Sequence, residues 1–157
     1  MRDNWYIDHD LPLIGLLVEV QTAISDELYG RLHEAGYGDI RPAHGCVFGY
    51  IERGGGVRLT ALADRSGLTK QAVREAVADL ERLGYVERVP DPGDGRAKII
   101  RLNERGREAA ATAEQIFADI EGRFAGEVGD ERFAEFRDTL RRIFLLTRAP
   151  AATARVA

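Results

Sequence analysis

Cysteine is almost missing from this chain: one residue, Cys46, stands among 157. A lone thiol closes no internal disulfide, which excludes a disulfide-stapled secreted scaffold and suits the reducing cytosol. Long apolar runs are missing too, and no stretch approaches the ~20 residues that cross a bilayer. The N-terminal segment has acids at Asp3, Asp8 and Asp10 and lacks the basic start and apolar stretch of a secretion signal. Enzyme signatures are absent as well: there is no G-x-S-x-G, no Walker loop and no zinc-protease helix. Gly54-Gly55-Gly56 superficially resembles a phosphate loop, but no Lys-Ser/Thr follows, so it reads as a flexible connection. His9, His33 and His44 are scattered and form no metal-binding motif. These absences leave a globular, cytoplasmic, non-enzymatic protein for which no metal or cofactor is expected.

The hydrophobic fraction of 45% and the charged fraction of 31% are ordinary for such a protein. A net charge of −4 argues at first against a polyanionic partner. The distribution is uneven, however. Residues 1–59 carry 5 basic and 9 acidic side chains, residues 60–107 carry 10 and 8, and residues 108–157 carry 7 and 9. Both lysines, Lys70 and Lys98, fall in the central basic island.

Apolar residues at Leu11, Ile14, Leu17, Ile24, Leu28 and Leu32 predict a long amphipathic helix, widened by Val18 and Val20. Ala35 to Asp39 ends it, and Pro42 opens a short helix through about Glu52. Val57-Arg58-Leu59 reads as extended, and Thr60 as the cap of the next helix. Gly67 makes a sharp turn, and Thr69 caps a helix from Lys70 to about Leu83 whose inward face is Val73, Val77 and Leu80. Gly84 stops that helix. The period then changes to two: Tyr85 to Val89 and Lys98 to Leu102 alternate as strands around the turn formers Pro90 to Gly95. Asn103 caps a helix running past Ile116, Ile120 and Phe124, and a last helix carries Phe133, Phe136, Leu140, Ile143 and Phe144. Residues 149–157 read as a disordered tail.

Two short helices joined by a tight turn, a basic second helix and an immediate hairpin make a winged helix-turn-helix. A helix fits the major groove of B-DNA, and a hairpin reaches sideways to a minor groove or phosphate ridge. Thr69, Lys70, Gln71 and Arg74 are therefore the candidate contacts of the second helix, with Lys70 and Arg74 one turn apart and opposite the apolar face. Gln71 has the groups to pair with adenine and Arg74 with guanine, while Thr69 and the helix start suit phosphate. Arg96, past the hairpin tip, is the candidate wing contact. The bland alternative is a solvated helix face, or a module that docks another protein, which the acidic total and Glu75 favour.

The run Leu62-Ala63, Gly67-Leu68-Thr69, Val73, Val77, Leu80-Glu81, Leu83 to Arg88, Asp91-Pro92, Asp94-Gly95-Arg96 and Leu102 to Gly106 closely resembles the MarR family. The family has a D-x-R wing and a closing L-T-x-x-G, here with Asn103 in place of threonine. The resemblance implies a mainly α fold with a small β-wing, the winged module spanning about 42–102. Long dimerisation helices at about 11–35 and 104–147 flank it, in one domain over residues 1–148. It further implies a homodimeric repressor that binds a pseudo-palindromic operator in double-stranded DNA and is released by a small aromatic or phenolic ligand. Asp94 matches the aspartate that braces the wing arginine, here Arg96. The effector pocket maps to Arg41, His44, Val47, Phe48 and Tyr50, near Trp5 and Tyr6, with Arg41 and His44 suited to a carboxylate. Cys46 reads as a small residue of the second helix, or as a redox-sensing thiol as in some relatives. Glu75 and Gly95 depart from the family, which often has basic residues at both places.

Overall fold

The computed structural model describes residues 11–51 and 55–148. Trp5, Tyr6, His9, Gly54, the 149–157 tail and the Cys46 side chain lie outside what it describes. The chain divides into two compact units, residues 1–116 and 117–157.

In the first unit, helix α1 (Leu13–Leu32) continues into a wider helical turn over His33–Tyr37. Helix α2 (Pro42–Phe48) starts with proline at its first position, where a missing N–H costs nothing. It ends earlier than the Pro42–Glu52 spacing predicts, with Gly49 as its C-cap. Strand β1 (Val57–Arg58) runs straight into α3 (Leu59–Ser66), so Arg58 caps α3 and Thr60 sits inside it. The expected cap at Thr60 is thereby displaced by two residues. Helix α4 (Lys70–Arg82) follows, then strands β2 (Val86–Asp91) and β3 (Asp94–Leu102).

The three strands form one antiparallel sheet in the order β1-β3-β2. Val57 pairs with Ile100, and Val86 with Leu102 down to Asp91 with Asp94. The hairpin turn is therefore only Pro92-Gly93, tighter than the Pro90–Gly95 loop expected, and Asp94 to Ala97 belong to the strand. The Asp91 carboxylate accepts the Gly93 N–H at 2.8 Å and closes this turn.

The core joins Ile40, Val47, Ile51, Val57, Leu62, Val73, Val77, Leu80, Tyr85, Ile100, Leu102 and Ala109. Each such large apolar side chain contributes about 1.5–3 kcal/mol when fully buried. Helix α5 (Glu104–Val128) begins at Asn103, whose Oδ1 accepts the Gly106 N–H at 2.9 Å while its Nδ2 donates to the Gly84 carbonyl at 2.8 Å. In the second unit, helix α6 (Asp130–Arg148) follows the end of α5. There the rings of Phe124, Phe133 and Phe136 form a row with centroids 6.4 Å apart, and Arg137 pairs with Glu121 at 2.9 Å. Among the described residues, no helix is long and apolar enough to cross a membrane.

Candidate nucleic-acid interface

The turn between α3 and α4 depends on Gly67, whose φ of 69° lies in the left-handed region that side chains disfavour. Thr69 then caps α4, its Oγ1 accepting the Ala72 N–H at 3.2 Å. Val73, Val77 and Leu80 are fully buried, so one face of α4 is fixed against the core and the other is presented to solvent. Lys70, Gln71, Arg74 and Glu75 are all exposed. At about 100° per residue, the line opposite the core belongs to Gln71 and Glu75, and Lys70 and Arg74 stand toward one flank. This corrects the expectation that the two cations oppose the apolar face.

The wing is held by a residue that sequence pattern does not single out. Arg58 on β1 reaches Asp91 (Nε to Oδ2, 2.6 Å) and comes within 3.8 Å of Asp94. The Gly93 N–H and the Arg58 guanidinium hold the Asp91 carboxyl below the usual carboxylate range. Asp94 meets Arg96 through the backbone, accepting its N–H at 3.1 Å. The brace therefore fixes the strand at Arg96 and leaves the Arg96 guanidinium unengaged. The extended reading of Val57-Arg58-Leu59 places Arg58 on a strand, but its two-residue pairing with β3, which brings it to the wing, has no local signal.

Most cations of the central segment are occupied. Arg82 binds Asp79 at 2.7 Å, Arg88 binds Glu81 at 3.0 Å, Arg101 binds Glu87 at 2.7 Å and Arg105 binds Asp39 at 3.2 Å. Among the described residues of α4 and the hairpin, the side chains of Lys70, Arg74, Arg96 and Lys98 form no such bond. All four are exposed. Lys98 joins the set only because the hairpin leaves the body beyond Ile99, so strand parity no longer decides what is covered.

The five expected pocket residues separate. His44 is 1% exposed and accepts the Arg41 N–H at Nδ1 (3.2 Å), so Nε2 carries the proton and donates to Asp79 on α4 at 3.2 Å. The Arg41 guanidinium also binds Asp79. Arg82, then His44, hold the Asp79 carboxyl down at about 2. Arg41 and His44 thus tie α2 to α4 and are already satisfied by a carboxylate of the chain itself. Val47 is fully buried in the core, Phe48 packs edge-on against Tyr85 (6.2 Å, 76°), and Tyr50 is exposed. Among the described residues, no group of three His, Cys, Asp or Glu side chains converges as a metal site.

A family model described as "MarR family" matches residues 39–97, the stretch that contains α2, the helix-turn-helix and the wing tip. Over that stretch the chain resembles the MarR family. Among curated relatives, the HTH-type transcriptional regulator BilQ of Clostridioides difficile (strain CD3) is 24% identical over 86 residues, 55% of this chain and 58% of BilQ. The regulator HosA of Escherichia coli O111:H- is 28% identical over 88 residues, 56% of this chain and 65% of HosA. The chain thus spans less than two thirds of either curated relative. The family and these relatives are transcription regulators, not enzymes. CouR from Rhodococcus jostii RHA1, solved bound to p-coumaroyl-CoA, is 29% identical with a TM-score of 0.66, over 83% of this chain and 91% of CouR. The winged helix fold is common to both.

Proposed function

We propose that this chain is a homodimeric transcription regulator of the MarR type that binds double-stranded DNA and is released from it by a small aromatic ligand. Helix α4 enters the major groove, with Thr69 and Lys70 at its leading end, Gln71 along its outer line and Arg74 on its flank. The β2–β3 hairpin carries Arg96 and Lys98 to the neighbouring backbone, positioned by Asp94 and Arg58. One observation supports this reading above the others. Among the described residues of α4 and the hairpin, the cations left without a carboxylate, Lys70, Arg74, Arg96 and Lys98, stand where a polyanion has to meet them.

Dimerisation places two α4 helices on half-sites about one helical turn apart, which makes the operator a pseudo-palindrome. The likeness to CouR, a protein solved with p-coumaroyl-CoA, supports an aromatic acid or its thioester as the ligand class. Repression is the expected mode, relieved when the ligand binds.

A mobility-shift titration with the DNA upstream of the gene tests the reading. Arg74→Ala and Arg96→Ala are each expected to weaken binding by about tenfold, within the range of a single lost contact. The slope of log affinity against log salt is expected to reach at most about −7 if eight cations of a dimer each neutralise a phosphate, and Arg96→Ala removes about 2 of it. Undiminished binding by both variants overturns the contacts. A flat salt dependence favours a protein partner instead.

A further inference from the structure

The outermost line of α4 carries a negative charge where a DNA-reading helix gains most from positive ones, and the structure gives that charge a partner. Gln71 Nε2 donates to Glu75 Oε1 at 2.7 Å, one helical turn along the exposed face. Both residues stand opposite the buried line of Val73, Val77 and Leu80, so they are the part of α4 farthest from the core. Among the described residues Glu75 makes no other hydrogen bond or ion pair, so its second oxygen is unengaged.

We infer that Glu75, held by Gln71, is a specificity-determining residue that reads the amino group of a cytosine in each half-site; the inference rests on the DNA-binding reading above. An ionised carboxylate only accepts hydrogen bonds. In the major groove, guanine offers N7 and O6 and thymine offers O4, all acceptors that repel it. Adenine offers an N6 donor beside the N7 acceptor, so a carboxylate that approaches the one is repelled by the other. Cytosine offers the N4 donor with the paired guanine O6 on one side only and a C–H on the other, whereas adenine N6 lies between two acceptors, its own N7 and the thymine O4, so cytosine suits the group best. The Gln71 amide spends one of its two donors on Glu75, which fixes the carboxylate and makes Gln71 a positioning residue. Lys70 and Arg74, on the flank, hold the groove wall and offset the charge that Glu75 brings toward the phosphates.

In vitro selection from a randomised duplex pool tests this with the full chain and the variants Glu75→Gln, Glu75→Ala and Gln71→Ala; thermal melting of each checks that these exposed substitutions leave the fold intact. The wild type is expected to enrich a half-site with cytosine at one fixed position, favoured over the other bases by about five- to one-hundredfold. Glu75→Gln moves that position toward adenine, and Glu75→Ala leaves it without preference while the rest of the motif stays. Gln71→Ala lowers the cytosine preference without abolishing it. A motif unchanged by both Glu75 variants, with binding merely tightened on every duplex, shows a carboxylate that only repels phosphate and overturns the inference. A wild type that enriches no duplex overturns the DNA-binding reading as well, and so separates the two failures.

Discussion

Tyr85 shows how much one side chain can fasten. Its ring is buried, with Phe48 edge-on and Tyr37 tilted against it at 6.4 Å, and the Arg105 guanidinium lies 4.6 Å over its face. Its hydroxyl donates to Asp39 and accepts from Arg105 at 3.0 Å, so the segment before α2, the start of the wing and the start of α5 meet at one oxygen. Burial first, and the bond to Asp39 second, push the phenol up to about 12. The unfolded chain gives up this proton near pH 10 and the folded chain keeps it, so the stabilisation is complete below about pH 10 and is lost as pH rises toward 12. Tyr85→Phe is expected to cost about 1–2 kcal/mol at neutral pH through the lost bonds, and to flatten the alkaline fall. Urea melts at a series of pH values from 7 to 11 check this; a variant with the wild-type midpoint and the wild-type alkaline slope would show the clamp to be idle. None of this is legible from a strand pattern, in which Tyr85 is simply the first alternating residue. Asp39 lies 46 positions away and Arg105 lies 20 away, and no local period connects them. The same holds for Asp79, 35 positions from His44, which resembles any solvated acid on α4.

Elements were legible where their signals are local. Thr69, Gly84 and Asn103 each act on groups within a few residues, and each ends or starts a helix where its chemistry predicts. The extended Val57-Arg58 was legible too, but its pairing with β3 was not, nor was the full length of the hairpin, because proline and glycine mark a turn without fixing its register. The junction of the wing with α5 supplies a test at this scale. Gly106 lies in the first turn of α5 against the start of the wing, and a Cβ there runs into the Tyr85 carbonyl oxygen and presses on the Leu102 side chain. In a free helix, alanine for glycine gains about 1 kcal/mol. Here the sign reverses: Gly106→Ala is expected to lower stability by about 1–3 kcal/mol, because the obstructing atom is backbone and cannot turn aside. A chemical melt measures it, and a variant as stable as the wild type would show that the close approach relaxes freely.

At the scale of the molecule, hydrophobic periodicity predicts the helices but cannot tell a face that meets its own core from one that meets a second chain. Along α1 the apolar stripe splits: Leu28 and Leu32 are buried, while Leu13, Ile14, Leu16, Val18 and Val20 are exposed. Along α6, Phe136, Leu140, Ile143, Phe144, Leu145 and Leu146 are exposed, with Phe144 at 51% and Leu146 at 75%. A monomer rarely leaves so many large apolar side chains exposed along single helices. The proposed homodimer accounts for them, since removing their exposed apolar area from water favours association. Ile143→Asp combined with Leu146→Asp acts on positions that are solvent-exposed in the single chain, so the fold of the protomer is expected to survive. Association is not: two carboxylates brought into an apolar interface each face a desolvation cost with no partner. Sedimentation is expected to show the wild type as a dimer and the double variant as a monomer with the helical circular dichroism of the wild type. The same variant is expected to lose retention of a two-half-site duplex far more steeply than of a single half-site, because only the dimer couples two α4 helices to one DNA. A wild type that sediments as a monomer at micromolar concentration, or a double variant that remains a dimer, would remove α6 from the interface and with it the spacing proposed for the operator.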